Sequence, residues 1–168
     1  MQSIEGRSME RIQKLIRHPL YLEYTKSIRE WEKDRPFCKH DYVHFLNVAR
    51  LAMIIKLKEQ IDLSEELIYG AALLHDIGRH VQYETGKDHA IVSSELAPKI
   101  LKESGYNQEE TDLIVEAVRN HRNEKVKEEK NLKGILYRAD KLSRECYFCE
   151  AEPLCHWKNK KKNKELVF

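Results

Sequence analysis

Apolar residues recur every three to four positions along almost the whole chain, and no segment shows sustained alternation of apolar and polar residues. The helical spacing starts near Ile12 and is still present at Ala139. A chain with this pattern cannot bury its apolar side chains in a sheet. We therefore predict an all-α fold, with two N-terminal helices packed on the remainder.

Proline and capping residues predict where the first helices begin and end. Pro19 and Pro36 each follow a stretch with helical spacing, so we expect two short helices that end before them. Asp41 is a favourable N-cap for a third helix, which has His44 in its first turn.

The most apolar stretch, Leu67 to Leu74, predicts a central buried helix. We expect Asp62 and Glu65 to form a capping box at its start, and Gly78 to adopt a left-handed conformation at its end. A loop is predicted over 79–87.

Three further helices are predicted toward the C-terminus. They cover residues 88–104, residues 107 to about 121 with Asn107 and Glu110 as a capping box, and residues 131–144. The charged stretch 122–130 is expected to be a loop.

The length of 168 residues fits one domain, which we place at residues 9–156. Residues 1–8 resemble the remnant of an engineered protease site or a disordered segment, and the basic residues 157–168 are expected to form a disordered tail. No apolar run is long enough for a membrane span, and no secretory signal is evident, so we expect a cytoplasmic protein. The net charge of +2 does not favour a nucleic-acid partner.

Two carboxylates stand where the helical pattern requires apolar side chains. Asp140 lies four residues after Leu136 on the same helical face, and Asp76 ends the apolar helix just after Leu73. An unpaired carboxylate in a core costs several kcal/mol, and a divalent cation removes this cost. Because His75 precedes Asp76 and His44 begins another helix, three helices supply ligands that suit a transition metal.

The ordered series His44, His75-Asp76 and Asp140 resembles the HD-domain superfamily, and so does the segment Ala-Ala-Leu-Leu-His-Asp-Ile-Gly-Arg at 71–79. The resemblance covers about residues 38–145. It implies a five-helix metal-binding core and a metal-dependent phosphohydrolase. Related activities include phosphodiesterases, nucleotidases and hydrolases of dinucleoside polyphosphates or guanosine tetraphosphate, so the motif does not specify a substrate.

The resemblance also implies the ligand set. His44, His75, Asp76 and Asp140 would hold one ion of iron, manganese, zinc, nickel or cobalt, with Asp76 available to bridge to a second ion. Some relatives bind that second ion with two further histidines between the His-Asp pair and the final Asp. This sequence has His89 and His121 in that interval. His80 fits a loop residue better than a ligand.

Arg79 departs from many relatives, which have lysine here, but its guanidinium can bind a phosphate in the same place. We expect Arg79, Lys141 and Arg122 to neutralise charge on the phosphate and Asp76 to orient the attacking water. A Gly-Tyr-Pro signature does not follow, so hydrolysis of cyclic-di-GMP is not expected.

The predicted function is hydrolysis of a small phosphorylated substrate such as a nucleotide or dinucleotide, by a phosphomonoesterase, phosphodiesterase or nucleotidase reaction. Two alternatives remain open: a di-iron oxygenase of the same fold, and an inactive nucleotide-binding module. The sequence does not indicate an oligomeric state.

The four cysteines suggest a separate site. Cys146 and Cys149 have the spacing of zinc and iron-sulfur ligands, with Cys155 close behind. Cys38 lies six residues before His44, and Cys146 lies six residues after Asp140, so convergence of the metal ligands would bring Cys38 near the other three. A zinc or iron-sulfur site is one prediction, and unpaired reduced thiols are the other.

Overall fold

The computed structural model describes residues 9–166, and the expectation for residues 1–8 lies outside the described residues. Within this range the chain forms eight α-helices and no β-strand. The helices are α1 Glu10–Ile16, α2 Pro19–Trp31, α3 Tyr42–Glu59, α4 Glu65–Leu74, α5 Arg79–Thr85, α6 His89–Glu103, α7 Gln108–Asn120 and α8 Leu132–Leu142. Short 3₁₀ turns occur at Glu124–Val126, Cys146–Phe148, Glu152–Leu154 and Asn159–Lys161. The all-α prediction is confirmed.

Helices α3, α4, α6, α7 and α8 form a five-helix core. The N-terminal helices pack on this core, with α1 against α4 and α2 against α5. Helix α4 lies at the centre, where Ile68, Ala71, Leu73 and Leu74 are fully buried. A helix that is apolar on every side is stable only when surrounded by other helices. The residues that follow α4 therefore begin inside the protein.

The predicted caps are confirmed in α3 and α7. The Asp41 carboxylate accepts a hydrogen bond from the backbone N–H of His44 at 3.0 Å, and Asn107 and Glu110 form the expected capping box. The prediction for α4 is wrong, because its N-cap is Ser64, whose hydroxyl accepts from the Leu67 N–H at 3.3 Å. Ser64 directly precedes the first helical residue, whereas Asp62 lies too far upstream.

The loop predicted at 79–87 is also wrong, because residues 79–85 form helix α5. This helix has no buried residue, so it lacks the apolar face from which helices are predicted. Gly78 has a φ of −80°, so it does not adopt the expected left-handed conformation. Gly86, at the end of α5, does adopt it, with a φ of 77°. A Cβ atom at Gly78 would lie 2.6 Å from the Ser93 nitrogen, so glycine permits close packing of α6 here.

The C-terminal residues contact the end of α8. The side-chain amide of Asn163 donates hydrogen bonds to the carbonyl oxygens of Lys141, Leu142 and Arg144, at 2.8–3.2 Å. The segment that we expected to be a disordered tail thus contacts the domain over part of its length. In the described part of the chain, no helix is long and apolar enough to cross a membrane.

Candidate metal centre

Two groups of ligand atoms converge where the core helices meet. The first contains His44, His75 and Asp140, and the second contains Asp76, His89 and His121. Within each group the ligand atoms lie within 4.8 Å of one another. The structure therefore brings together all six residues that the sequence suggested. His80 is in neither group, and its ring stacks on Tyr24 instead.

Asp76 lies between the two groups and turns one oxygen toward each. Its Oδ2 is 3.1 Å from His75 Nε2 and 3.6 Å from His44 Nε2. Its Oδ1 is 3.0 Å from His89 Nε2 and 3.6 Å from His121 Nε2. A carboxylate in this position can bridge two metal ions.

Each of the four histidines has its other ring nitrogen in contact with the protein. Nδ1 of His75 and of His121 lies 2.6 Å from the carbonyl oxygens of Ala72 and Val118 respectively. His89 Nδ1 lies 2.6 Å from Gln82 Oε1. Because a carbonyl oxygen can only accept, these Nδ1 atoms must donate. Their Nε2 atoms are then left as lone-pair donors.

His44 has a similar arrangement with Ser143. The Ser143 hydroxyl donates to the Asp140 carbonyl oxygen at 2.7 Å, so it can accept from His44 Nδ1 at 3.4 Å. Hydrogen bonds of this kind fix the ring orientation and tautomer of histidines that bind metals.

These contacts leave unpaired lone pairs that suit a divalent metal. Nε2 of His44 lies 3.3 Å from Nε2 of His75, and Nε2 of His89 lies 3.2 Å from Nε2 of His121. Both carboxylate oxygens of Asp76 are buried without a well-aligned hydrogen bond, and the cation next to them is Arg79, whose Nε lies 3.0 Å from Oδ1. Facing imidazole lone pairs around a buried carboxylate are unfavourable when nothing lies between them, so the donor set fits one or two metal ions.

In the second group, the electrostatics favour the protonation states that metal binding requires, whereas in the first group burial is outweighed by Asp76 and Asp140, which raise the pKa of His75. Burial raises the pKa of Asp76, but the charges of Arg79, His75 and His89 outweigh burial and hold this pKa well below its usual range. Burial lowers the pKa of His121 to about 4. The second group therefore offers a carboxylate and a neutral imidazole at neutral pH.

Two of the predicted phosphate-binding residues lie beside the ligands. Arg79 Nε is 3.0 Å from Asp76 Oδ1, and Lys141 forms an ion pair with Asp140 Oδ2. Arg122 lies further out, where its guanidinium is paired with Asp88 at 2.6 Å. All three cationic side chains line the same cavity, and each of them is paired with a carboxylate.

A cavity of about 620 Å³ opens above the two groups. Its lining includes ligands from both groups and six cationic side chains, namely Arg35, Lys39, Arg79, Arg122, Lys141 and Arg144. Acidic side chains in the lining are fewer, namely Asp41, Asp140 and Glu145. The size suits a small ligand, and the excess of cations suits an anion.

Comparison with known proteins agrees with this geometry. The sequence profile described as "HD domain" matches residues 41–145, which include all six ligands. The chain belongs to the HD-domain family. The resemblance inferred from the sequence is thereby confirmed, while the individual site residues remain predictions.

One solved structure and several sequences are similar to this HD protein. The crystal structure of a predicted HD superfamily hydrolase from an uncultured Thermotogales bacterium matches with a TM-score of 0.61 and 26% identity, covering 88% of this chain and 81% of the other. An uncharacterised protein of Clostridium beijerinckii is 41% identical over 95% of this chain and 100% of its own length.

Ribonuclease Y sequences match over a smaller part of this chain. That of Lawsonia intracellularis is 35% identical over 60% of this chain, and that of Mycoplasma mycoides subsp. mycoides is 26% identical over 83%. The chain spans only 17% and 25% of these two relatives.

A histidine that the sequence analysis did not consider also faces the HD centre. His40 Nε2 lies 4.0 Å from Asp76 Oδ2, and its Nδ1 is 2.5 Å from Oε1 of Glu32, which is 3% exposed. Glu32 also accepts from the His40 N–H at 2.6 Å and from the Tyr83 hydroxyl. The available signal was the spacing of His40 four residues before His44. No feature of the sequence around Glu32 indicated that it belongs to the site.

The charges in this network explain its protonation. Burial raises the pKa of Glu32, but the hydrogen bonds from His40 and Tyr83 outweigh it and lower the pKa to about 2. Burial and the charge of Arg79 lower the pKa of His40 to about 4. At neutral pH, His40 is therefore a neutral ring that donates from Nδ1 to Glu32 and directs an Nε2 lone pair into the site.

Three of the four cysteines line the same cavity as the metal-ligand candidates. Cys38, Cys149 and Cys155 contribute to the cavity lining, and all four cysteines are free thiols. In the described residues, no three cysteine sulfurs lie within 4.8 Å of one another. The structure therefore brings the four cysteines to one region without placing them at ligand distance.

Proposed function

We propose that this HD protein is a dinuclear metal-dependent phosphohydrolase that acts on a small phosphorylated compound such as a nucleotide or dinucleotide. The observation that carries the proposal is the position of Asp76, whose two oxygens face two separate histidine groups at the base of a cavity lined by cations. Family membership and the similar HD superfamily hydrolase support hydrolysis as the reaction class.

Each group would hold one ion. The first ion would be bound by His44, His75 and Asp140, and the second by His89 and His121. Asp76 would contribute one of its two oxygens to each ion. When bound, divalent metals supply a water whose pKa falls toward about 7 and neutralise charge on the phosphoryl group. Iron, manganese, cobalt, nickel and zinc all suit this ligand set.

The remaining residues would bind and orient the substrate. Arg79 and Lys141 would bind phosphate oxygens, because both line the cavity beside the ligands. His40 directs a neutral Nε2 into the same space and would accept a hydrogen bond from the attacking water. Glu32 would hold the His40 ring in that orientation.

The cavity volume favours a small substrate over a polymer. The relatives named ribonuclease Y make RNA phosphodiesters the competing substrate class, although the chain spans only part of those proteins. A panel of nucleoside mono-, di- and triphosphates, dinucleoside polyphosphates and a short single-stranded RNA distinguishes the two.

The test is phosphate or nucleotide release by metal-free protein reconstituted with each of the five metals. We expect turnover of a small phosphorylated compound with at least one metal, and its loss in Asp76→Asn. His80→Ala is the matched control, because His80 lies next to Arg79 in sequence but in neither ligand group.

Turnover that persists in Asp76→Asn would contradict the proposal, as would RNA cleavage without turnover of any small compound. Iron-dependent oxygen consumption without hydrolysis would instead support the di-iron oxygenase alternative. Nucleotide binding without turnover under any metal would support the inactive binding module.

A further inference from the structure

The chain that follows α8 has no apolar core of its own. In the described residues 144–166 no residue is buried, and Phe148, Leu154 and Leu166 are each about 80% exposed. The regular structure here consists of three short 3₁₀ turns. A segment without buried apolar surface needs another source of order, and small folds often obtain it from a metal or a disulfide.

Polar contacts alone attach this segment weakly. Lys162 pairs with Glu152 at 2.7 Å, and the guanidinium of Arg144 lies 4.1 Å from the ring centroid of Trp157. Isolated ion pairs and cation-π contacts each contribute little to stability. Both of these contacts lie within the segment, and the Asn163 side chain attaches it to the core through hydrogen bonds to the last carbonyl oxygens of α8.

Three cysteines lie in or directly after two of these 3₁₀ turns: Cys146 begins the first turn, Cys149 follows it, and Cys155 follows the second. The Cys149 N–H donates to the Cys146 carbonyl oxygen at 3.3 Å, and the Cys155 N–H donates to the Glu152 carbonyl oxygen at 3.1 Å. Cys146 and Cys149 are thus separated by one short turn, which is the spacing of a Cys-x-x-Cys pair of metal ligands.

The loop before α3 brings the fourth cysteine to the same place. Cys38 and Cys149 line the same cavity, and the ring of Phe37 lies 6.0 Å from the ring of His156, the neighbour of Cys155. Burial raises the pKa of the Cys38 thiol, and the nearby thiols of Cys146 and Cys149 raise it further. Two segments distant in sequence thus meet with all four cysteines of the chain.

Cations beside the thiols would balance the charge of a thiolate cluster. Arg144 lowers the pKa of Cys38, opposing the effect of burial. Lys162, whose side chain is only 6% exposed, interacts electrostatically with Cys155 and Cys146. A cluster of four thiolates around one divalent ion has a net negative charge, and these two side chains would offset it.

From these observations we propose that Cys38, Cys146, Cys149 and Cys155 form a four-thiolate metal site that attaches the C-terminal segment to the loop before α3 at the cavity mouth. Thiolate sulfurs around a zinc ion lie about 3.8 Å apart, given Zn–S bonds of about 2.3 Å. The sulfurs must therefore move closer than they are in the structure. This movement involves only turns and a loop without buried residues.

The test is the metal content of the full chain, purified without oxygen. Wild type is compared with Cys149→Ser, with Asp76→Asn, and with Glu150→Ser, an exposed neighbour that removes no thiol. We expect Cys149→Ser to lose the thiolate-bound metal and to keep the metal of the HD centre. Asp76→Asn should show the reverse, and Glu150→Ser should match wild type.

The spectra identify the occupant and provide a second measurement. Zinc gives a colourless protein that acquires thiolate-to-metal charge-transfer bands on replacement by cobalt, whereas an iron-sulfur cluster absorbs visible light as purified. Either result supports the four-thiolate site. Helix content by circular dichroism, unchanged in Cys149→Ser, excludes general unfolding as the cause of metal loss.

Three outcomes would overturn the proposal: Cys149→Ser with the same metal content as wild type, four thiols in metal-loaded protein that all react at once with a thiol reagent, or a disulfide between any two of the cysteines in the purified protein. The first two outcomes would show that the cysteines are ordinary reduced thiols.

Discussion

The HD centre and the cysteine segment lie on the same cavity but are organised in opposite ways. At the HD centre, His75, Asp76 and His121 are at most 1% exposed, and each belongs to the end of a helix in the apolar core. In the cysteine segment, residues 144–166, no described residue is buried. A packed core thus presents imidazole and carboxylate groups in one region, and exposed turns present thiols in the other.

The difference indicates what holds each set of ligands in place. At the HD centre, apolar packing and hydrogen bonds to Nδ1 position the imidazoles before any metal binds. In the cysteine segment, the proposed metal would itself supply the order, as in small zinc domains.

Replacing Asp76 tests whether the two histidine groups act as one centre. Because its oxygens face both groups, we expect Asp76→Asn to lower kcat/KM about 1000-fold, equivalent to about 4 kcal/mol of transition-state stabilisation. Metal content should fall by one or two ions. Asp112→Asn, an exposed carboxylate in α7, is the control. Activity within tenfold of wild type would argue against a bridging role.

Metal removal tests the contrast directly. After chelation we expect amide hydrogen exchange in residues 144–166 to increase about 100-fold, the effect of losing an ion present at about 100 times its Kd. Exchange in α4 and α7 should change little, because apolar packing stabilises them. Equal loss of protection in both regions would remove the distinction between them.

The Glu32–His40 pair tests positioning at the HD centre. We expect Glu32→Gln to lower kcat about 10-fold while KM and metal content stay near wild type, because Glu32 orients a ring that faces the site. Tyr83→Phe removes a different donor to Glu32 and should lower kcat only about twofold. A loss of metal in Glu32→Gln would indicate that His40 is a metal ligand.

The smallest expected effect concerns the core. Asn107→Ala removes the cap of α7 and should lower the free energy of unfolding by about 1 kcal/mol. Because packing stabilises α7, the decrease should be the same with and without metal in chemical denaturation. Glu109→Gln, exposed in the same turn, is the control. If the free energy of unfolding decreased only in metal-free protein, bound metal would be compensating for the lost cap.

Several features could be predicted because they depend on residues close in sequence. The caps at Asp41 and Asn107 use residues within one helical turn. Asp76 and Asp140 stood out because a charge interrupted an apolar pattern. Helix α5 could not be predicted, because it has no buried face, and its contacts with α2 and α6 come from distant parts of the chain.

The network of Glu32, His40 and Tyr83 was missed for a similar reason. Glu32 follows α2 and Tyr83 lies in α5, so the two meet only after those helices pack. Burial then changes the chemistry of the group, because the pKa values of Glu32 and His40 depend on partners that the sequence does not bring together.

The sequence alone determined the all-α fold and marked Asp76 and Asp140, since apolar periodicity and its interruptions are local properties of a chain. The resemblance to the HD-domain family, which the sequence motif carries, added the other ligand candidates. Only the tertiary structure decided which oxygen of Asp76 faces which histidines, that Arg122 is paired with Asp88, and that Cys38 lines the same cavity as Cys149 and Cys155. These features depend on how helices pack, because helix packing sets the distances between residues that are far apart in sequence.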